Sequence, residues 1–280
     1  MSWHHRRPMT DITLCCGTRA RPWLRTDALA VSRCPTCGTL WASHLGPPLA
    51  DATWREPDIT PIFLDALARR RVEQAEVLVR RLPSLPGPIL DYGCGQAVFF
   101  DRARRAGLDV WGADLSLPTG SLAHGSDRYV ELPAPWTIPP GDWRTVVLLD
   151  VLEHHPDPRA FLSQLQAEVL VVKTPLITGP VARTARALAR VGRTGPIESL
   201  FLVGEANPHR AFFSARGLRR VAGARRLTRR YDLAEVGSEL PERMTGRSWG
   251  PAGLPLRGLG LGLGAISPIW PDTGVFVFET

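Results

Sequence analysis

The chain has 280 residues, of which 44% are hydrophobic and 22% charged. These proportions are close to those of ordinary globular proteins, and they exclude a disordered chain, a fibre and a collagen-like repeat. The formal net charge is +7, but every basic residue except Lys173 is an arginine, as GC-rich codon usage would produce. The charge by itself therefore favours a solvated basic face over a nucleic-acid-binding surface.

No export or membrane signal is visible in the sequence. The N-terminus lacks an apolar segment followed by a small-residue cleavage site. The longest apolar stretch, Leu256 to Trp270, has 15 residues, includes Arg257 and contains several glycines, so it is too short and too broken to cross a bilayer. We expect a cytoplasmic protein without a membrane segment, and nothing in the sequence indicates its oligomeric state.

Four of the five cysteines fall within the first 37 residues. In a reducing compartment such clustering favours metal binding over disulfides, and Cys34-Pro-Thr-Cys37-Gly38 is typical of a zinc knuckle. We therefore predict a small zinc-ribbon-like module over residues 1–50. Its expected zinc ligands are Cys15, Cys16, Cys34 and Cys37.

The first half of this module is less regular than the second. Cys16-Gly17 matches the end of a Cys-x-x-Cys-Gly knuckle, but the first ligand position is occupied by Thr13. Three alternatives stay open: Cys15 takes that place in a strained geometry, a histidine completes the tetrahedron, or the site has decayed to buried or idle thiols. The candidate histidines are His4, His5 and His44.

Residues 51–86 are predicted to form a proline-containing connector followed by one helix. Thr60 is a plausible N-cap, and Pro61 then occupies the first helical position. Apolar residues recur at helical spacing until Pro83 ends the pattern.

Strands and helices alternate from residue 87 onward, which predicts an α/β fold with a Rossmann-like, mostly parallel sheet of seven strands. A final strand at 275–279, paired with a strand near 226–233, is expected to close the sheet in antiparallel fashion. Segment 176–214, with a helix near 181–191, is expected to lie over the carboxyl edge of the sheet as a lid. The other predicted strands are 88–92, 109–113, 127–131, 145–150 and 168–173, and the main intervening helices are 97–106 and 158–166.

The strongest motif runs from a buried strand directly into a helix, as Asp91-Tyr92-Gly93-Cys94-Gly95-Gln96-Ala97. Its glycines allow a tight turn and a close approach of the backbone to a ligand. A carboxylate at Asp91 would repel a pyrophosphate but attract a cation. Asp114 lies 21 residues beyond Gly93 at the end of the next predicted strand, where a carboxylate can bind both hydroxyls of a ribose.

These residues resemble motif I and the second-strand acid of class I S-adenosylmethionine-dependent methyltransferases. Residues 149–158 resemble the fourth-strand motif of that family, and 208–214 resemble a later motif of the branch with an N-terminal Cys-rich ribbon. The resemblance implies that the methionine part of the cofactor contacts the glycine turn, that Asp114 binds the ribose and that Asp150 lines the cleft. The implied cofactor-binding residues are Asp91, Tyr92, Gly93, Cys94, Gly95, Asp114, Leu115 and Asp150.

Methyl transfer to a hydroxyl or an acidic carbon requires a base, for which histidine is suited near neutral pH. His154 follows the fourth strand, and His209 lies in the segment expected to fold back over it, so both are candidate catalytic residues. His155 is a weaker candidate because, next to Pro156, it can simply face solvent. His154 has the alternative role of capping or orienting the following helix.

The leading functional interpretation is methyl transfer to an oxygen or carbon atom of a small natural-product molecule. An RNA methyltransferase is the alternative, supported by seven arginines between Arg216 and Arg230 but not by aromatic residues interleaved among them. A non-catalytic binding protein on the same fold is the third interpretation.

Overall fold

The computed structural model describes residues 15–46, 61–82, 84–116, 127–233 and 271–280, together with the single positions 258 and 262. Among the helices of these ranges, none has both the length and the apolarity needed to cross a membrane. Five residues named in the sequence analysis lie outside the described ranges, namely His4, His5, Thr13, Thr60 and Pro83, as does nearly all of the apolar stretch from Leu256 to Trp270.

The described elements comprise eleven strands, six helices and one short 3-10 helix at Leu152–His154. The helices are α1 (Pro61–Arg81), α2 (Val98–Arg105), α3 (Pro158–Gln164), α4 (Pro180–Arg190), α5 (Gly195–Leu200) and α6 (Ala215–Val221). The strands are β1 (Arg21–Arg25), β2 (Leu29–Arg33), β3 (Leu40–Leu45), β4 (Ile89–Tyr92), β5 (Val110–Asp114), β6 (Tyr129–Glu131), β7 (Thr145–Leu149), β8 (Val169–Pro175), β9 (Ala211–Phe212), β10 (Arg226–Leu233) and β11 (Thr273–Glu279).

Seven strands form one sheet in the order β10-β11-β8-β7-β4-β5-β6. Its five strands from β8 to β6 are parallel, whereas β11 pairs antiparallel with both β8 and β10. The expected fold class is therefore confirmed. Strand β8 is buried along all seven residues, as expected for a parallel strand covered on both faces.

Alternate residues of these strands face two separate apolar cores. On one face, Ile89 and Val147 pack with α1 and α2. On the other face, Leu90 and Leu148 pack with α3 and α6. The central strand β4 is thereby held between two helical layers, and its carboxyl end opens at the point where the strand order reverses, which is where α/β sheets bind ligands.

A second sheet joins the N-terminal region to the segment expected to form the lid. Strands β1, β2 and β3 are antiparallel, and β9 adds to the edge of β3 through Leu40 opposite Phe212 and Trp41 opposite Ala211. Helices α4 and α5 pack against this sheet in a third apolar core. The Cys-rich region and residues 176–214 thus share one sheet, which was not apparent from the sequence.

Candidate active site

The turn between β4 and α2 depends on residues with left-handed backbone conformations. Gly93 has φ 71° and Gly95 has φ 53°, and Ala97, at the start of α2, has φ 58°. A Cβ atom added to Gly93 would lie 2.6 Å from a methyl carbon of Val151, so this position also lacks room for a side chain. At Gly93 both backbone strain and packing therefore exclude other residues.

Asp114 ends β5 beside this turn. Its carboxylate accepts hydrogen bonds from the backbone N–H of Gly95, at 2.7 Å, and from that of Leu115, at 2.6 Å. Two residues expected to bind the same ligand are thus in direct contact, because parallel strands β4 and β5 end at the same edge.

Asp91 is 2% exposed, and its Oδ2 atom has no hydrogen-bond partner among the described residues. Burial raises the pKa of its carboxyl group to about 7; a backbone N–H at Phe100 opposes this shift, while the Asp114 charge adds to it. A cation beside Asp91 would favour the ionised form and supply the missing partner.

The neighbours expected to contact the cofactor occupy different environments. The Tyr92 ring lies in the core, 5.3 Å from the ring of Phe161, and burial raises its pKa to about 12. Cys94 is half-buried, and burial also raises the pKa of its thiol. Leu115 is 47% exposed at the edge of the sheet, which makes it the apolar side chain most open to a ligand among these three.

Asp150 follows β7 at the same edge and has a left-handed φ of 56°. Its carboxylate forms an ion pair with Lys173, with 2.6 Å between Oδ2 and Nζ. Lys173 is 5% exposed and is the only lysine of the chain. The sequence analysis did not assign it to the site, although a single lysine among arginines was a signal that could have indicated a special role.

The structure brings together His154 and His209, with 4.7 Å between their ring centroids. Nδ1 of His154 lies 3.1 Å from the Pro208 carbonyl oxygen, and Nδ1 of His209 lies 2.7 Å from that of Leu200. Because a carbonyl can only accept, Nδ1 carries the proton in each neutral ring and the lone pair is on Nε2. Burial lowers the pKa of His154, so this ring is neutral near pH 7 and can accept a proton.

His155 is buried rather than facing solvent. Its ring packs between Trp136 and Phe161, with centroid distances of 4.4 and 4.9 Å, and its Nδ1 accepts a hydrogen bond from the Asp157 backbone. Burial lowers its pKa to about 4. The N-cap of α3 is Asp157, so neither His154 nor His155 caps this helix.

Glu153 is a further buried acid that sequence reasoning missed. It is 0% exposed, and neither carboxylate oxygen has a hydrogen-bond partner among the described residues. Burial and the charge of Asp150 raise its pKa well above its usual range. One ligand atom from each of Glu153, His154 and His209 lies within 4.8 Å of the others, so a carboxyl group adjoins the histidine pair.

The four N-terminal cysteines converge on one point. Their sulfur atoms all lie within 4.8 Å of one another, with 3.1 Å between those of Cys15 and Cys37. His44 does not belong to this group. Such a set of four thiols fits the ligand chemistry of a tetrahedral zinc ion.

Thr39 connects this cysteine cluster to the histidine region. Its hydroxyl, 1% exposed, accepts hydrogen bonds from the Cys37 thiol and from the Ser214 backbone, at 3.3 and 3.1 Å. Backbone bonds then run from Ala42 to the Arg210 carbonyl and from the Arg210 N–H to the Glu153 carbonyl. These hydrogen bonds, together with the backbone from Thr39 to Ala42 of β3, therefore join the cysteine cluster to the edge that carries His154.

A cavity of about 400 Å³ lies between β3 and the loop that carries His209. The cofactor residues of the β4–α2 turn do not line it. Its walls include Pro208 and Arg210, on either side of His209, together with His44 and Glu205. The cavity is mainly polar and has room for a small organic molecule.

Three features together are typical of a class I methyltransferase architecture. They are this strand order, the glycine turn after the central strand and the acid at the end of the next strand. Residues 66–228 match the family model described as a methyltransferase domain. The match covers more than half of the chain, and the chain belongs to this family. A search of curated proteins found no match.

Solved structures with the same fold share little sequence with this chain. Mycolic acid cyclopropane synthase CmaA1, complexed with S-adenosylhomocysteine, is 18% identical over 82% of this chain and 88% of its own, with a TM-score of 0.51. Magnesium protoporphyrin IX methyltransferase from Synechocystis PCC 6803 is 16% identical over 81% and 91%, with a TM-score of 0.47. The [4+2]-cyclase SpnF is 12% identical over 80% and 93%, with a TM-score of 0.49. At these identities the likeness concerns the fold alone.

Proposed function

We propose that this protein transfers a methyl group from S-adenosylmethionine to an oxygen or carbon atom of a small-molecule acceptor. The observation that carries the proposal is the proximity of two groups of residues at one sheet edge. The β4–α2 turn and Asp114 form one group, and the histidine pair at the end of β7 forms the other. A cofactor held by the first group and an acceptor held by the second would lie side by side.

The residues of the turn suit this cofactor. Asp91 offers a cationic ligand a buried carboxylate oxygen that no described residue hydrogen-bonds, and Asp114 offers oxygen atoms to a ribose. Gly93 and Gly95 let the backbone approach the ligand closely, and Asp150 lies at the same edge. When bound, S-adenosylmethionine supplies an electrophilic methyl group on a sulfonium ion.

His154 and His209 are the proposed catalytic residues. Their Nε2 lone pairs can accept the proton that an acceptor hydroxyl or an acidic carbon loses as its bond to the methyl group forms. The backbone carbonyls at Pro208 and Leu200 fix the two rings and stabilise the protonated form after transfer. Segment 176–214 would cover the acceptor and exclude water.

We also propose that Cys15, Cys16, Cys34 and Cys37 bind one structural zinc ion, as in the branch with an N-terminal Cys-rich module. In this proposal the module spans residues 1–50, a linker and helix span 51–86, and the methyltransferase domain spans 87–280. Elemental analysis should find one zinc per chain, which Cys34→Ser loses and Cys94→Ser keeps. Folded protein without metal would contradict the site. A cytoplasmic location accords with ligation by reduced thiols.

Calorimetry with S-adenosylmethionine and S-adenosylhomocysteine tests the cofactor. Asp114→Asn should weaken both ligands about tenfold or more because the ribose loses a charged acceptor. Asp109→Asn is the matched control, since it removes the same charge at the opposite end of β5. Absence of binding to the wild-type protein would refute methyl transfer altogether.

The acceptor class is tested with S-adenosylmethionine labelled in its methyl group. The protein is incubated separately with a low-molecular-mass extract and with total RNA. Label in the small-molecule fraction, extractable after removal of protein, is the expected result. Label in RNA instead would replace the proposed acceptor with nucleic acid while leaving the cofactor assignment intact.

A further inference from the structure

A buried carboxyl group and two histidine rings converge beyond the end of β7. One ligand atom from each of Glu153, His154 and His209 lies within 4.8 Å of those of the other two. Three donors at this separation can approach a single ion with small side-chain rotations, since bonds from zinc to imidazole nitrogen and carboxylate oxygen are about 2.0–2.2 Å long. Two imidazoles and one carboxylate are a donor set typical of sites for divalent transition metals.

Both imidazole rings are held in the way that is usual for metal-binding histidines. Nδ1 of His154 lies 3.1 Å from the Pro208 carbonyl oxygen, and Nδ1 of His209 lies 2.7 Å from that of Leu200. Because the carbonyl oxygens only accept, Nδ1 carries the proton in each neutral ring, and coordination would use Nε2. Metal-ligating histidines generally donate their other ring N–H to such an acceptor, which fixes both the orientation and the tautomer of the ring.

The Glu153 carboxyl group is the part of this cluster that most clearly requires a cation. It is 0% exposed, and neither of its oxygen atoms has a hydrogen-bond partner among the described residues, nor has the nearby Thr174 hydroxyl. The charges of Asp150 and Lys173 act on it in opposite senses, and these two groups form an ion pair of 2.6 Å with each other. A buried carboxylate is costly without compensation, and a divalent ion would supply both charge and a bond.

Backbone hydrogen bonds hold the ligands on two distant segments together. Glu153 and His154 belong to the 3-10 helix after β7, whereas His209 precedes β9. The Arg210 N–H donates to the Glu153 carbonyl at 2.7 Å, and the His209 N–H donates to the Phe201 carbonyl at 3.1 Å. The cluster is therefore positioned by the main chain and does not depend on the side chains alone.

We propose that Glu153, His154 and His209 bind one divalent transition-metal ion, such as Zn²⁺, Ni²⁺ or Fe²⁺. The site is separate from the N-terminal cysteine cluster, whose donors are all thiols. The ion would take the Nε2 electron pairs to which the proposed function assigns proton acceptance. Metal binding and base catalysis therefore exclude each other, a consequence that rests on the proposed function.

Calorimetry of the untagged protein with Ni²⁺ tests the site after the cysteine cluster has been loaded with zinc. Glu153→Gln keeps the size of the side chain but removes the charged ligand. It should weaken Ni²⁺ binding about 100-fold or more, because loss of an outer-shell partner alone costs about 10- to 100-fold. His44→Ala is the matched control, since it removes an exposed imidazole that does not belong to the cluster. Equal Ni²⁺ affinity in wild type and Glu153→Gln would overturn the proposal.

Thermal unfolding gives a second readout of the same site. Ni²⁺ should raise the melting temperature of wild type and His44→Ala but not of Glu153→Gln. If Glu153→Gln does not fold, His209→Gln provides the same comparison. An equal rise in wild type and the ligand variant would place the ion elsewhere and overturn the site. Mg²⁺ prefers oxygen ligands, so Mg²⁺ binding as tight as that of Ni²⁺ would overturn ligation by the histidines.

The effect of the ion on methyl transfer tests the exclusion of base catalysis. In the Ni²⁺-saturated protein, turnover should fall about 100-fold or more, which is within the range that a general base contributes. Removal of Ni²⁺ by dialysis should restore it. The dissociation constant of S-adenosylmethionine should stay within about twofold, because the glycine turn is not part of the metal site. Unchanged or higher turnover with Ni²⁺ bound would overturn the exclusion.

The two proposals fail in distinguishable ways. Absence of Ni²⁺ binding that requires Glu153 would overturn the metal site and leave methyl transfer standing. Absence of S-adenosylmethionine binding would refute methyl transfer, whereas the Ni²⁺ titration would still decide the metal site.

Discussion

The two ends of the candidate active site are built from the chain in different ways. Apart from Leu115 and Asp150, the residues of the cofactor end come from one continuous stretch, residues 91–114, which includes the end of β4, its turn and β5. The histidine end is assembled from distant segments, with β3 bonded to β9 and the Thr39 hydroxyl bonded to Ser214, 175 residues away. Local sequence thus brings together the proposed cofactor-binding residues, whereas the proposed acceptor end depends on long-range packing.

The largest expected effect is a loss of turnover at the histidine end that leaves cofactor affinity unchanged. His154→Ala and His209→Ala should each lower turnover, about 10²- to 10⁴-fold for the residue that accepts the proton, because general base catalysis contributes that much. Affinity for S-adenosylmethionine should stay within about twofold of wild type, since neither residue belongs to the turn. Turnover is measured as transfer of the labelled methyl group to the small-molecule fraction, and affinity for S-adenosylmethionine is measured by calorimetry. Wild-type turnover in both variants would leave alignment of the reactants as the sole contribution of the protein.

A smaller effect is expected at the cofactor end. Asp91→Asn removes the charge that attracts a cation and should weaken S-adenosylmethionine about 10- to 100-fold, the range expected for a charged hydrogen bond. Asp109→Asn should bind like wild type. Because Asp91 is buried and repelled by Asp114, its substitution should not lower the melting temperature. Unchanged affinity in Asp91→Asn would show that this carboxylate does not face the cofactor.

The pH dependence of S-adenosylmethionine binding is a second test of whether the Asp91 carboxylate faces the cofactor. In the free protein the pKa of Asp91 is raised to about 7, so the carboxyl group is mostly neutral at pH 6 and mostly ionised at pH 8. A bound cation favours the ionised form, so binding releases a proton and affinity falls as pH decreases. We expect the dissociation constant to be about tenfold larger at pH 6 than at pH 8. Titration of the ligand's own amino group affects wild type and Asp91→Asn equally, so the variant serves as the control. If binding to Asp91→Asn depends on pH as strongly as binding to wild type does, Asp91 is excluded as the cause.

The difference between local and distant construction also explains what the sequence could predict. The bounds of two strands were located closely from the sequence: the prediction 145–150 became Thr145–Leu149, and 226–233 became Arg226–Leu233. His154 and His209 were each predicted as candidates, but their 4.7 Å separation depends on packing between the segment that follows β7 and the segment that precedes β9. Strand β9 has two residues, and no pattern that short could predict its pairing with β3.

The buried polar contacts also could not be predicted from the sequence. The ion pair between Asp150 and Lys173 depends on the register of β7 against β8. The buried position of Glu153 depends on the short 3-10 helix that follows β7. Both acids lie in the strand-end motif, but only the structure distinguishes the ion-paired carboxylate from the one that has no hydrogen-bond partner among the described residues.

The smallest expected effect tests whether the cysteine cluster supports the histidine end. Thr39→Val keeps the shape of the side chain but leaves the buried Ser214 N–H without its acceptor. We expect it to lower the free energy of unfolding by about 1–3 kcal/mol, the cost of an unpaired buried polar group. Thr36→Val, at an exposed threonine of the same knuckle, should unfold like wild type in a denaturant titration.

Thr39→Val should also affect the two ends of the site unequally. Because β9 follows His209 and pairs with β3, loosening this contact should lower turnover several-fold while the dissociation constant of S-adenosylmethionine stays unchanged. A parallel loss of cofactor affinity would show that the two ends form one cooperative unit. In that case the continuous stretch 91–114 would not be sufficient to specify cofactor binding, because its geometry would depend on the distant Cys-rich region.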